Sequence, residues 1–282
     1  MYWKKNLIAC EQQKGVLMNK NDYLNSYYST YQEDARLTAT KHGLVEYLTT
    51  MKYIHRFLNK GMHILEIGAG TGRYSLALAK EGFRVDAVEL LMHNLDILRS
   101  KIAELPDGGS IRAYQGDALD LSRFEDGIFD GTLVLGPMYH LYTEEDQRKA
   151  LQEACRVTKK DGYLFVAYCM SDPTMVGELF PLGEVKKYLE QKKFTEDFHI
   201  LSEPEDLFQL VRTEDIENLD GTIDAERLML VATDGPTGYM RPVIDSMDDD
   251  TFALYMRYHF AVCERSDLIG ASHHTLDILK KR

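Results

Sequence analysis

Residues 64–74 read ILEIGAGTGRY, an apolar run that stops in three glycines set two apart and then turns helical. A strand that feeds a helix through glycines brings bare main chain to the edge of a sheet. Without a Cβ, Gly68, Gly70 and Gly72 reach dihedrals closed to other residues and let a ligand lie against the backbone. The N–H groups of such a turn, at the positive end of the next helix, are expected to favour a carboxylate or phosphate. A dinucleotide fingerprint, G-x-G-x-x-G, would put its third glycine at position 73. That position holds Arg73, and Gly72 comes one residue early, so the pattern counted from Glu66 is E-x-G-x-G-x-G.

Outward from this stretch, strand and helix patterns alternate. Upstream, Tyr47, Met51, Ile54 and Leu58 recur at helical spacing and run out at Asn59-Lys60-Gly61. Before them Tyr23, Tyr27 and Tyr31 share one face of a short helix. Downstream, Leu76, Ala79 and Phe83 mark the inward side of a helix, 84–90 a strand, and Leu91, Leu95, Leu98 and Ile102 the helix after it. After a turn at 106–109, strands are predicted at 111–115, at 131–135 and at 163–169. Thr143 caps a helix that opens with Glu144, Glu145 and Asp146 and ends at Lys159-Lys160-Asp161-Gly162. The rhythm breaks at Ser171; 227–233, 250–265 and 275–279 then read as strand, helix and strand.

This repetition implies an α/β fold: a doubly wound, mostly parallel seven-stranded sheet with right-handed crossovers, an N-terminal helical cap and an insertion after the fifth strand. The expected division is a flexible extension at 1–18, the helical cap at 19–60, a cofactor-binding core at 61–170, a substrate cap at 171–220 and completion of the sheet at 221–282.

Composition narrows the partners. The chain has 282 residues and a formal net charge of −12, which argues against nucleic acid or an anionic membrane as the main partner. The basic clusters at Lys52, Arg56, Lys60 and at Lys186, Lys187, Lys192, Lys193 read as solvated helix faces. No apolar run approaches the ~20 residues of a membrane span, and the N-terminus lacks the apolar stretch of a signal peptide. Cys10, Cys155, Cys169 and Cys263 form no C-x-x-C and read as free thiols, so a cytoplasmic, reducing setting without disulfides or zinc is expected.

The E-x-G-x-G-x-G pattern resembles the first motif of the class I S-adenosylmethionine-dependent methyltransferases, which are Rossmann-like. Three further positions match. Glu89 ends the second strand, where an acidic side chain accepts hydrogen bonds from both ribose hydroxyls; alone it could equally be a solvated carboxylate. Gly116-Asp117-Ala118 closes the third strand. The resemblance implies that Asp117 receives the adenine amino group and the Ala118 N–H meets the ring, a plain G-D turn being the alternative. The fourth strand ends in Leu135-Gly136-Pro137-Met138-Tyr139-His140-Leu141, the loop that in this fold faces the sulfonium and the acceptor.

What the resemblance implies is S-adenosyl-L-methionine as cofactor. Its contacts would come from Glu66, Gly68, Ala69, Gly70, Gly72, Glu89, Leu90, Asp117, Ala118 and Leu135, with Tyr28 and Arg36 from the N-terminal cap; Arg73 is a further candidate for the methionine carboxylate. His140, with Tyr139 beside it, is the catalytic candidate, because a histidine titrates near neutrality and suits deprotonation of an acceptor. A hydrogen-bonded histidine supporting the loop is the alternative. The loop lacks both Asn/Asp-Pro-Pro-Tyr and a Pro-Cys pair, which argues against base methylation. The expected acceptor is therefore a small molecule; RNA or protein methylation and a non-catalytic S-adenosylmethionine-binding protein are the alternatives. His259, His273 and His274 lack a carboxylate or cysteine at ligand spacing, so no metal site is expected.

Overall fold

The computed structural model describes residues 20–29, 36–105 and 110–282. The expected extension at 1–18, Cys10, Tyr31 and the turn at 106–109 lie outside the described residues.

The apolar run before the glycines forms β1 (His63–Ile67), with β2 (Arg84–Glu89) parallel to it and β3 (Ile111–Gln115) parallel to β2. On its other side β1 pairs with β4 (Phe129–Val134), and β4 with the long β5 (Thr158–Met170), both in parallel. A two-residue β6 (Leu210–Val211) pairs with the end of β5. β7 (Ala225–Ala232) and β8 (His274–Lys281) finish the sheet in the order β3-β2-β1-β4-β5-β8-β7, with β8 antiparallel to both neighbours. Strand order reverses between β1 and β4, so the carboxyl ends of these strands form the crevice in which such sheets hold ligands.

Two points differ from expectation. The seven strands of the main path are joined by β6, making eight; two residues are too few to leave an alternating pattern. The helix expected to reach Gly162 stops at Val157, and β5 starts at Thr158. Residues 159–162 loop out of the ladder instead, because Phe129 faces Thr158 while Gly131 already faces Tyr163. Asp161 turns there at φ 62 and is held by Lys280 at 2.8 Å. A bulge rich in Lys, Asp and Gly looks in sequence like a helix end.

Each face of the sheet has its own core. α1 (Lys20–Tyr28) lies against residues 204–206. On one face of the sheet lie α2 (Lys41–Phe57), α3 (Arg73–Lys80) and α4 (Met92–Ala103); Tyr53, Ile54, Leu78 and Leu98 from this group pack on Ile64, Phe165 and Leu276. The other face is covered by α5 (Glu144–Val157) and α6 (Thr213–Asp220), whose Leu151, Ala154, Ile216 and Leu219 meet Leu65, Ile67 and Val134. Thr143 caps α5, accepting the Asp146 N–H at 3.1 Å, and Thr40 does the same for α2 through Gly43. Fully buried Glu66 sits between Leu65 and Ile67, on the α2–α3 side, at the mouth of the crevice.

Candidate active site

The glycine loop is shaped by contact as much as by conformation. Gly68 holds φ at +72, and a Cβ there would lie 2.7 Å from the Pro137 ring. Gly72 holds φ at +88, and a Cβ would overlap Leu98. The expectation of N–H groups left over for an anion is overturned at four positions. Gly68 and Ala69 donate to the Val88 carbonyl at 2.8 and 3.0 Å, and Gly72 donates to Ala69 at 2.9 Å. The Gly70 N–H donates to Glu89 Oε2 at 2.8 Å. The loop is locked onto β2 and presents close-approach surface in place of an anion nest.

Glu89 has a double structural duty, since its Oε1 also accepts the Leu91 N–H at 2.9 Å. It is 5% exposed, so the solvated-carboxylate alternative fails. Glu66 accepts a hydrogen bond from the Ser75 hydroxyl. Burial, opposed by the Ser75 bond and reinforced by the Glu89 charge, pushes its carboxyl up to about 8. Asp117 accepts the Leu119 N–H at 3.0 Å, closing a tight turn while still bordering the crevice.

These groups line one cavity of about 330 Å³. Of the sequence-derived site residues, Glu66, Gly68, Ala69, Gly70, Glu89, Leu90, Asp117, Ala118, Leu135, Tyr28, Arg36, Tyr139 and His140 border it, as does Arg73. Gly72 is absent from its lining, being packed on Leu98. The roof comes from Tyr23, Leu24 and Tyr27 of α1 and from residues 204–208 of the segment after β5.

His140 holds that roof together. Its Nδ1–H donates to the Leu207 carbonyl at 2.8 Å, and its Nε2 accepts the Tyr28 hydroxyl at 2.9 Å. The carbonyl fixes the tautomer, since only a ring N–H can donate to it. Burial lowers the imidazole to about 4. With both nitrogens engaged, the ring links the loop after β4 to the cap. Tyr139 is buried alongside; its carbonyl accepts the Gln209 N–H at 2.7 Å, and burial raises its phenol well above 10.

At the far end of the cavity lies a charge cluster that motif reading passed over. Arg36 grips Glu46 with two N–H bonds of 2.8 and 3.1 Å. His274 Nδ1 lies 2.9 Å from Asp234 Oδ2 and 3.7 Å from Glu46 Oε2. Asp234 Oδ1 accepts the Ser272 hydroxyl at 2.6 Å and the His274 N–H at 3.1 Å. Burial opposes charge on His274, but Glu46, Cys169 and Asp234 outweigh it and raise the imidazole well above 6.5. Burial likewise raises Glu46 and Asp234, but Arg36 and His274 for the first and His274 for the second hold both below the carboxylate range. His274 pairs with Cys169 across β5–β8, which places both at the strand ends facing the crevice. The one hint in sequence was the His273-His274 pair at the mouth of the last strand. Among the described residues no group of three or more His, Cys, Asp or Glu is placed to hold a metal, and no helix is long and apolar enough to cross a membrane.

Comparison with known proteins bears on the same part of the chain. Residues 64–162 match the methyltransferase domain family. The O-methyltransferase cnsE of Penicillium expansum is 28% identical over 153 residues, 54% of each chain. The glycine/sarcosine N-methyltransferase of Parasynechococcus marenigrum is 32% identical over 119 residues, 40% of each chain. The chain thus spans about half the length of the curated relatives it matches. Among solved structures, the geranyl diphosphate C-methyltransferase of Streptomyces coelicolor, in complex with Mg2+, geranyl diphosphate and S-adenosyl-L-homocysteine, superposes with a TM-score of 0.55. That likeness covers 98% of this chain and 87% of the other at 13% identity, a likeness of fold.

Proposed function

We propose that this chain, which belongs to the class I S-adenosylmethionine-dependent methyltransferase family, transfers a methyl group to a small-molecule acceptor. The observation that carries this reading is the single cavity shared by the glycine loop, Glu89, Asp117 and the loop after β4. Its residues suit S-adenosylmethionine: the close-packed Gly68 turn offers bare backbone, and two carboxylates stand at the ends of β2 and β3.

When bound, S-adenosylmethionine supplies an activated methyl group on a sulfonium sulfur. In this reading Glu89 takes the ribose hydroxyls, Asp117 the adenine amino group, and Arg73, at the start of α3 beside the glycine loop, the donor's carboxylate. Glu66 faces the donor's positive charge. The tyrosines of α1 and residues 204–208, tied by His140, exclude water and hold the acceptor against the reacting carbon. The relatives' names span O- and N-methylation, so they support the reaction class and leave the acceptor to this chain's own walls. A cavity of about 330 Å³ lies at the low end of the ~300–1,000 Å³ of ligand sites, and it must hold donor and acceptor together, which favours a compact metabolite over a macromolecule.

Calorimetric titration with S-adenosylmethionine and S-adenosylhomocysteine tests the assignment. Binding of both in the micromolar range is expected; failure of both to bind overturns it.

A further inference from the structure

The cavity is elongated along the sheet. Glu89 ends β2, and His274 begins β8, four strand positions away in the order β2-β1-β4-β5-β8. At about 4.8 Å per strand that is roughly 19 Å. If the donor's ribose lies at β2 and its methyl group at the loop after β4, the β5–β8 end is where an acceptor sits. The walls of that end therefore select the acceptor.

Each buried carboxylate there is turned toward a cation of the protein itself. Glu46 faces the fork of Arg36, Asp234 faces His274 and Ser272, and Glu178 lies behind Arg241 at 3.3 Å. Such pairing is what permits buried charge at all. What remains toward the cavity is a set of donors. His274 Nδ1 is committed to Asp234, and among the described residues Nε2 has no hydrogen-bond partner although the ring borders the cavity with its side chain 23% exposed. Arg241 borders the same cavity with a side chain 25% exposed, its Nη1 3.3 Å from Glu178 Oε1. The Tyr139 ring lies 6.0 Å from that of His274.

We infer that the acceptor is a compact organic anion whose charged oxygen, a carboxylate or the ionised oxygen of an acidic hydroxyl, accepts hydrogen bonds from His274 Nε2–H and the Arg241 guanidinium. An amine acceptor would bring N–H against N–H and, when protonated, a third positive charge against two. An oxyanion complements both groups, and hydrogen bonds between charged partners are the strong ones. An oxygen already ionised also removes the need for a general base, in keeping with the engagement of both His140 nitrogens. This inference rests on the methyltransferase reading and specifies its acceptor class.

The test uses the full chain, 15N-labelled at histidine and saturated with S-adenosylhomocysteine. Acetate and benzoate are titrated against ethylamine, benzylamine, ethanol and benzyl alcohol as matched cationic and neutral probes. Both the His274 ring signals, assigned with the H274Q variant, and the dissociation constants are read. At least one anion is expected to shift the His274 ring signals and to bind tenfold or more tighter than its amine. H274Q and R241M should each weaken that anion fivefold or more while leaving S-adenosylhomocysteine affinity within twofold, which also certifies that the variants are folded. Equal or tighter amine binding, silence of the His274 signals toward both anions, or full retention of anion affinity by both variants overturns the inference. If S-adenosylhomocysteine itself does not bind, the methyltransferase reading falls; if it binds normally and the anions fail, only the acceptor class falls.

Discussion

The two ends of the cavity are built by opposite means. At the β1–β3 end, Glu66, the glycine loop, Glu89 and Asp117 come from one contiguous stretch. Carboxylates there are held by backbone N–H groups and a serine hydroxyl, as when Glu89 anchors Gly70 and Leu91. At the β5–β8 end, Arg36, Glu46, Asp234 and His274 arrive from both ends of the chain and are held by one another's charge. The first arrangement leaves carboxylates facing a ligand with hydroxyls and positive charge. The second leaves cationic donors facing the cavity. One pocket can in this way present opposite polarity to a donor and to an acceptor.

The largest expected effect contrasts the ends through acid. Burial lowers His140, His259 and His273 to about 4 each. A folded value below the usual 6.5 means that the unfolded chain binds more protons between those limits. The stability these groups contribute is therefore full above pH 6.5 and lost as pH falls toward 4. At roughly 1.4 kcal/mol per unit per group, the three histidines together lose several kcal/mol, offset in part by Glu66, whose raised carboxyl binds a proton in the folded chain over the same window. Thermal melts should drop steeply over this window, and hydrogen exchange should rise at β8, beside His273, before it rises at β1. A flat melting profile from pH 6.5 to 4.5 would contradict the assigned burial.

Next in size is Glu89→Ala. It removes the ribose partner and leaves two buried N–H groups unsatisfied, at about 1–3 kcal/mol each. S-adenosylhomocysteine affinity should fall about 100-fold, or ~2.8 kcal/mol, against the twofold limit set for H274Q at the other end. Comparable losses from both variants, measured by calorimetry, would erase the distinction between the ends.

Glu66 gives a smaller and graded effect. Its carboxyl, raised to about 8, is protonated at neutral pH in the ligand-free protein. A positively charged donor stabilises the carboxylate and so releases the proton. S-adenosylmethionine affinity is then expected to rise with pH toward 8, by at most about tenfold per unit, and to level off above. Calorimetry in buffers of different ionisation enthalpy should detect the released proton, and Glu66→Gln should abolish both signals. A pH-independent wild type would remove Glu66 from the donor's charged end.

Smallest is Tyr28→Phe, which deletes the hydroxyl that His140 accepts. A loss of about 1 kcal/mol of stability is expected, with faster hydrogen exchange over 204–208 and S-adenosylhomocysteine affinity changed only a few-fold. Unaltered exchange would mean that His140 does not tie the cap.

Legibility in the sequence followed the same division. Glu66 through Ala118 could be placed because each residue's neighbours in sequence are its neighbours in space: a strand end, a turn, a helix start. The reading of β5 failed locally, because Lys159-Lys160-Asp161-Gly162 carries helix-end chemistry while serving as a bulge. His140 was located correctly at the cavity, but its partners Tyr28 and Leu207 lie far away in sequence, and only they decide whether its nitrogens are available. Glu46, one charge on the helix Lys41–Phe57, and Asp234, just past the strand Ala225–Ala232, carry no local signal of their meeting with Arg36 and His274.

By itself the sequence determined the parallel sheet, its glycine turn and the acidic residues at the ends of β2 and β3, since periodicity and turn chemistry act over a few residues. The tertiary structure alone decided the polarity of the acceptor end and the occupation of His140. Both depend on which distant side chains meet, and a buried charge or imidazole takes its state from those partners.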